Sequence, residues 1–257
     1  PAFLSFLDSY EKFNAGIEHR LTVLLRAFEN NLEDYNKIKE ICAGKNIRTL
    51  DTIDKGQDFG AYLEGAENLD AEYICCLNTS CIIQCENWLK KLFSPIEQDK
   101  KYKMTGVSGS YELCPEYTSE IRLLKTNKDR IKTFLERLNL PRLLFRFLFT
   151  PLFKNFPNYH IRTSAFLIDR NLFLNYFKTH KLPDSKIEAY KIENGAESLS
   201  KYVLLQGGDF CIIDKYGTKF DKEDFYKSGT YRSCMKNYII KDRQHAGYEN
   251  TNFLFRL

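Results

Sequence analysis

The 257-residue sequence lacks any run of about 18 apolar residues, so nothing in it predicts a membrane-spanning helix. Residues 1–10 also lack the basic start, apolar centre and small-residue cleavage site that mark a secretion signal. These two absences lead us to expect a chain that stays in the cytoplasm.

Charge of one sign is not in excess either. The sequence has 38 lysines and arginines against 34 aspartates and glutamates, a formal net charge of +4. A nucleic-acid binder neutralises many phosphates and needs a larger basic surplus. We therefore expect no nucleic-acid partner.

The cysteines lack the spacing of a metal or redox motif. Eight are present, yet no Cys-x-x-Cys pair occurs and no histidine stands at zinc-finger spacing. We expect reduced thiols that behave as small buried apolar groups. The Gly-Lys-Ser/Thr ending of a phosphate-binding P-loop is missing as well.

What the sequence does contain is an alternation of apolar runs and helical periodicity. The runs predict strands at 2–7, 21–25, 47–53, 72–77, 103–107, 165–168 and 210–213. Helical spacing predicts helices at 31–42, 59–69, 86–93, 119–138 and 171–177, with two more flanking residues 194–195. This order predicts an α/β fold with a mostly parallel central sheet flanked by helices, in a single domain over 1–257.

Polar residues follow three of the predicted strands at their carboxyl ends. The segments are 8–10, 54–62 and 78–80. Ligands of open parallel sheets bind at that edge, so the three segments should converge on one crevice. Gly56 and Gly60 permit close backbone approach, and the free amides of the following helix could face a diphosphate. A plain surface turn before a helix is the alternative.

Six blocks of sequence, taken in order, carry a family resemblance. They are 56–62 (GQDFGAY), 71–80, 86–89, 106–110, 160–166 and 188–195. Together they resemble GT-A glycosyltransferases of bacterial capsule, lipopolysaccharide and rhamnan synthesis, over roughly residues 1–215. The resemblance implies a Rossmann-like nucleotide-diphospho-sugar transferase fold. It also implies a donor half at 1–110, and an acceptor half with a C-terminal tail at 111–257.

The activity that the resemblance implies is transfer of a sugar from a nucleotide sugar, most commonly a UDP-sugar, to a hydroxyl of a surface glycan or lipid-linked acceptor. Inversion at the anomeric carbon is expected. The residues placed at the donor are Asp8, Ser9, Tyr10, Gly56, Asp58, Gly60, Tyr62, Asn78 and Ser80. Asp8, Ser9 and Tyr10 would hold the base and ribose.

The segment 78–80 departs from the family pattern. Asn78 and Ser80 stand where many such enzymes carry an Asp-x-Asp motif for manganese or magnesium. Hard cations prefer carboxylate oxygens, which leaves metal dependence open. Lys186 or Arg232 are alternative groups to neutralise the leaving diphosphate.

An inverting transfer needs a carboxylate that takes the proton of the acceptor hydroxyl. Glu193 best matches the family position for this base, with Glu188 second and Glu197 third. The alternative is an exposed carboxylate at a helix end. The residues placed at the acceptor are Ser110, His160, Arg162 and Thr163. His160 and Arg162 could equally satisfy local backbone groups.

The most apolar stretch, 140–154, is interrupted by cations and too short to cross a bilayer. It predicts a peripheral membrane contact near a lipid-linked acceptor, with a buried helix or a protein interface as the alternatives. Two other functions stay open. One is a nucleotidyltransferase or sugar-nucleotide pyrophosphorylase of the same fold. The other is a non-catalytic carbohydrate- or nucleotide-binding protein on a degenerate GT-A fold.

Overall fold

The computed structural model describes residues 2–28, 31–111, 157–230 and 236–242. Its helices are α1 Ala2–Lys12, α2 Leu32–Gly44, α3 Gln57–Asn68, α4 Trp88–Gln98, α5 Arg170–Thr179, α6 Lys186–Asn194 and α7 Leu199–Leu205, with a 3₁₀ helix at Lys222–Lys227. Its strands are β1 Thr22–Arg26, β2 Arg48–Thr52, β3 Tyr73–Leu77, β4 Ile82–Ile83, β5 Tyr102–Gly106, β6 Gly109–Ser110, β7 His160–Ile161, β8 Ala165–Asp169, β9 Asp209–Ile213, β10 Lys219–Asp221 and β11 Ile240–Lys241.

The fold is α/β, as predicted, but the sheet is mixed rather than mostly parallel. A five-stranded sheet has the order β10-β9-β5-β8-β3. In it β5 and β9 are parallel, whereas β8 lies antiparallel to both β3 and β5. β1 and β2 form a separate parallel pair. The direction of β8 was missed because a strand buried on both faces gives the same apolar run whichever way it points.

The predicted strand at 2–7 is wrong, since these residues begin helix α1. Phe6 and Leu7 are buried and Tyr10 packs beside them, which is the spacing of one helix face. A six-residue apolar run cannot by itself distinguish a strand from a helix. Asp8, Ser9 and Tyr10 therefore lie inside a helix and do not follow a strand.

The other predicted elements that fall on described residues are confirmed to within a few residues of their ends. Asn31 caps α2, its side-chain oxygen accepting from the Asp34 amide at 3.2 Å. The predicted helix 119–138 and the apolar stretch 140–154 lie outside the described residues. Across the described part of the chain, no helix has the length and apolarity to cross a bilayer.

Two apolar clusters pack on opposite faces of the five-stranded sheet, and β3 shows how they divide. Tyr73, Cys75 and Leu77 pack against the cluster that contains α1 and α4, while Ile74 and Cys76 belong to the cluster that contains α3 and α5. Alternate strand residues point to opposite faces, as predicted for Cys75 and Cys76. The sheet thus holds α3 on one side and α1 and α4 on the other.

Candidate functional site

A cavity of about 1010 Å³ lies between β1 and β3, and we call it the interstrand slot. Its lining runs along residues 21–26 on one side and 71–79 on the other. Four of the residues predicted to hold the nucleotide line it: Tyr10, Asp58, Tyr62 and Asn78. The structure therefore brings the start of α3 and the end of β3 to one opening, as the sequence pattern predicts.

Backbone geometry explains why the 54–62 segment contains glycine at two positions. Gly56 has φ +76 and stands directly before α3. A Cβ on Gly60 would lie 1.8 Å from the Lys55 carbonyl oxygen, so only glycine lets α3 start this close to the preceding loop. Their contact with a nucleotide stays a prediction, because the close approach alone accounts for both glycines.

Sequence reasoning missed a cation at the opening of the slot. Arg26 ends β1, and its guanidinium lies 3.4 Å from Asp58 and 3.7 Å from Asp54. Both carboxylates are more than half exposed, so these ion pairs are weak and exchangeable. A basic residue at the end of a predicted strand was the available signal.

The Asn78 to Ser80 turn does not fit a divalent cation. The Asn78 Oδ1 atom accepts hydrogen bonds from the Ser80 amide at 3.0 Å and the Ser80 hydroxyl at 2.8 Å. The oxygen that would ligate a metal is neutral and already engaged within the turn. Nor do the described ranges contain a group of three or more His, Cys, Asp or Glu side chains placed to hold a metal.

Ser9 and Tyr10 are engaged within the protein. The buried Ser9 hydroxyl donates to the Phe6 carbonyl at 2.8 Å and accepts from the Ile83 amide at 3.0 Å, which ties α1 to β4. The Tyr10 hydroxyl lies 2.6 Å from His19 Nε2. Tyr10 still lines the slot, whereas the Ser9 hydroxyl has a structural task.

Thr163 binds Glu193 at a second location, whose residues are more buried than those at the slot opening. Its Oε2 accepts from both the Thr163 amide at 2.8 Å and the Thr163 hydroxyl at 2.6 Å. Both bonds fall on the same oxygen, and no hydrogen bond from a described residue reaches Oε1. The side chain is half-buried, and the two bonds from Thr163 fix its orientation.

His160 is buried beside Glu193. Its Nδ1 lies 2.7 Å from the Asn158 carbonyl, so Nδ1 carries the proton and Nε2 is the acceptor in the neutral ring. Burial lowers the pKa of His160 from its usual value, against the opposing effect of the Glu193 carboxylate. The imidazole is therefore neutral at pH 7.

The predicted acceptor residues lie together around this pair. Ser110 and His160 are cross-strand partners in the β6–β7 ladder, and the Arg162 amide donates to Ser108 at 3.1 Å. The structure thus gathers the predicted acceptor residues Ser110, His160, Arg162 and Thr163 with the preferred base, Glu193.

The two other candidate bases stand apart from this group. Glu188 accepts from the Asp184 amide at 2.6 Å, and its own amide donates to the Ser185 hydroxyl at 3.2 Å. This is a variant of the helix capping box at the start of α6, in which the carboxylate binds the amide one residue before the N-cap. The Glu197 side chain is 84% exposed and lies 4.0 Å from His180. Neither carboxylate points into the group around His160.

Sequence reasoning missed a set of buried polar atoms in the same place. Five side-chain atoms are buried without a hydrogen-bond partner among the described residues: Ser108 Oγ, Asn158 Oδ1, Ser164 Oγ, Asn194 Oδ1 and Ser198 Oγ. Burying such a group unpaired costs about 1–3 kcal/mol, so these atoms lower the stability of the folded chain in this region. No spacing in the sequence marks these residues.

One hydrogen bond joins the two locations. The Asn78 amide donates to the Ser164 carbonyl at 3.2 Å, and Ser164 directly follows the threonine that binds Glu193. The end of β3 is therefore adjacent to the segment whose Thr163 binds Glu193.

No protein-family model matches this chain, and no curated protein does. The solved structures that this chain resembles include two with low TM-scores. The 4-diphosphocytidyl-2C-methyl-D-erythritol synthase of Anaerococcus prevotii has TM-score 0.44 and 12% identity, covering 88% of this chain and 86% of that one. HddC of Yersinia pseudotuberculosis has TM-score 0.36 and 11% identity, covering 88% and 81%. Both likenesses are too distant to transfer a function.

Proposed function

We propose that this protein is a nucleotide-sugar-dependent transferase, and more specifically an inverting glycosyltransferase that uses a UDP-sugar. The observation that carries the proposal is the bond from Asn78 to Ser164, since it sets the predicted donor edge beside the carboxylate that Thr163 orients. A donor and an acceptor must meet at one carboxylate in such a reaction.

The donor end supplies groups suited to a diphosphate. Arg26 offers a cation at the end of β1, and the first turn of the 12-residue helix α3 presents amides at the same opening. Helix amino-termini and guanidinium groups both stabilise phosphate oxygens. Because the Asn78 turn does not fit a cation, these groups are the ones we assign to the negative charge that develops on the leaving nucleoside diphosphate.

Glu193 is the proposed general base. Its Oε1 takes the proton of the acceptor hydroxyl as the hydroxyl oxygen bonds to the anomeric carbon, and the bond from that carbon to the diphosphate breaks. The neutral state of His160 matters here, because a charged imidazolium beside Glu193 would stabilise the Glu193 carboxylate and weaken it as a base. The predicted acceptor residues gathered around Glu193 are proposed to bind the acceptor's hydroxyls.

The acceptor class and the cellular location are proposals of the same kind. A surface glycan or lipid-linked acceptor follows from the family resemblance. The cytoplasmic location and the peripheral membrane contact through 140–154 follow from the composition of the sequence. That stretch lies outside the described residues. A flotation assay with anionic vesicles tests the contact. It compares the unmodified protein with a variant in which the cations of 140–154 are replaced by glutamine.

Donor hydrolysis tests the activity. The protein is incubated with UDP-glucose, UDP-galactose, UDP-N-acetylglucosamine and the corresponding GDP-sugars, and free nucleoside diphosphate is measured beside the melting temperature with each donor. We expect one donor to raise the melting temperature and to be slowly hydrolysed. A donor that binds without any release of diphosphate supports the non-catalytic alternative. A product with retained anomeric configuration contradicts the single-base mechanism.

A further inference from the structure

β1 and β3 each have an unpaired edge facing the other. Among the described residues β1 hydrogen-bonds in sheets only to β2, and β3 only to β8. The interstrand slot lies between them along their whole length. Each edge of a five-residue strand carries a row of N–H and C=O groups. Two such rows therefore border the slot without strand partners, which is costly where water is excluded.

The two strands run in the same direction. The Arg20 guanidinium, just before β1, donates to the Asp70 carbonyl, just before β3. At the other end Arg26 and Asn78 both line the slot. The edges are thus aligned like the outer two of three parallel strands.

The slot is apolar on both faces of the sheet. On one face it is lined by α1 and α4 through Phe6, Trp88 and Phe93, and on the other by α3 through Tyr62 and Gly65.

We propose that the interstrand slot binds an extended polypeptide strand, apolar on both faces, which pairs with β1 and β3 together and joins the two sheets into one. A five-residue strand takes up roughly 17 Å by 4.8 Å by 10 Å, about 800 Å³, which is comparable with the cavity. A hydrocarbon chain would fill the volume but leave both backbone rows unpaired. A charged strand would bury its charges between two apolar clusters.

This inference does not depend on the proposed activity. The strand fills the apolar length of the slot, where Tyr10 and Tyr62 also lie, while the groups assigned to the diphosphate lie at its carboxyl end. Donor binding is therefore measured without the peptide and strand binding without the donor, so that either can fail while the other is observed.

The probe is a synthetic peptide, Lys-Val-Ile-Val-Ile-Val-Lys, added to the 257-residue chain. Its matched control has the same side chains with alternate backbone nitrogens methylated, which removes ladder donors. We expect the first peptide to raise the melting temperature and to slow amide exchange at 22–26 and 73–77 by roughly tenfold or more, and the methylated peptide to do neither. Equal effects of both peptides would show apolar filling without strand pairing and overturn the proposal.

A second arm raises the local concentration. Phe3 of α1 lines the slot, so the same sequence joined before residue 1 by a glycine-serine linker is held near it at about millimolar effective concentration. If exchange at β1 and β3 is unchanged in this fusion too, the proposal is wrong. If the unmodified chain sediments as a dimer that the peptide dissociates, a second copy occupies the slot and the proposal is again wrong.

Blocking the slot locates the binding. Ala61 is buried and lines the slot, and we expect Ala61→Trp to abolish the peptide's effect, whereas Leu205→Trp at an exposed position keeps it. An undiminished response in a folded Ala61→Trp protein would place the peptide elsewhere.

Discussion

The two parts of the candidate site are built in opposite ways. At the slot opening the charged groups are exposed, and Arg26 is shared between two carboxylates at 3.4 and 3.7 Å. Around Glu193 the groups are half-buried or buried, with bonds of 2.6 to 2.8 Å from a single threonine. The first arrangement suits a ligand that displaces existing partners, and the second suits a group that must keep one orientation. Changes at Glu193 should therefore affect turnover, and changes at the opening should affect binding.

The largest expected effect is that of Glu193→Gln on turnover. Glutamine keeps the size and can still accept a bond from Thr163, but it cannot take a proton. Turnover should fall by roughly two to four orders of magnitude while donor affinity changes little. The measurements are steady-state transfer or donor hydrolysis, and donor affinity from thermal shift.

Glu188→Gln is the matched control on the same helix. It weakens only the capping box at the start of α6, so we expect near-normal turnover and a loss of about 0.5–1 kcal/mol in unfolding free energy. Comparable loss of turnover in both variants would mean that α6 as a whole, and not the Glu193 carboxylate, is required. Lost donor binding with a lowered melting temperature in Glu193→Gln would assign that residue a structural role.

The next largest effect concerns the backbone at the slot opening. Gly60→Ala places a Cβ 1.8 Å from the Lys55 carbonyl, and backbone must shift to relieve this contact. We expect a loss of roughly 2–3 kcal/mol in unfolding free energy, together with weaker donor binding because α3 moves. Gly44→Ala at the end of α2 is the control, as nothing lies within 4 Å of its Cβ. Chemical denaturation of both proteins measures the difference, and equal stabilities would contradict it.

Much of the fold could be predicted from the sequence, for reasons that differ between regions. Long periodic segments such as α2 and α3 show amphipathic spacing, Asn31 also caps α2, and strands β2 and β3 are bounded by turn residues. The prediction for the start of α1 was wrong because six apolar residues fit both the helix and the strand period. The direction of β8 was not predicted because a strand buried on both faces gives the same apolar run in either direction.

The site residues could be predicted where their position after a strand or at the start of a helix determines their location. They could not be predicted where tertiary packing brings them together. Asp58 and Asn78 follow apolar elements, so their meeting at one opening could be anticipated. The hydrogen bonds from Thr163 to Glu193 join residues that are 30 apart in the sequence. The side-chain amide of the buried Asn158 donates at 2.6 Å to the carbonyl of Asn194, which ends α6. Such pairs depend on how α6 lies against β7, which no local pattern records.

A smaller effect should appear in the dependence of stability on pH. Because burial lowers the pKa of His160, the unfolded chain binds a proton at this site more readily than the folded one. Stability from this group is complete above the ordinary value of 6.5 and is lost as pH falls below it. Denaturation at about pH 7.5 and 5.5 should show the loss in the wild type and less of it in His160→Gln. An unchanged slope in His160→Gln would mean that another group titrates.

The smallest expected effect is that of removing divalent metal. The Asn78 Oδ1 atom is neutral and occupied by Ser80, so Arg26 and the start of α3 are left to stabilise the leaving diphosphate. Turnover should stay within about twofold of its starting value in excess EDTA.

The double variant Asn78→Asp with Ser80→Asp places two carboxylates in the same turn, and we expect it to gain activity with added manganese. Loss of wild-type activity in EDTA, restored by manganese, would show that a carboxylate elsewhere or the diphosphate itself coordinates a required cation. In that case Arg26→Ala should cost little, whereas without a metal it should weaken both donor binding and turnover.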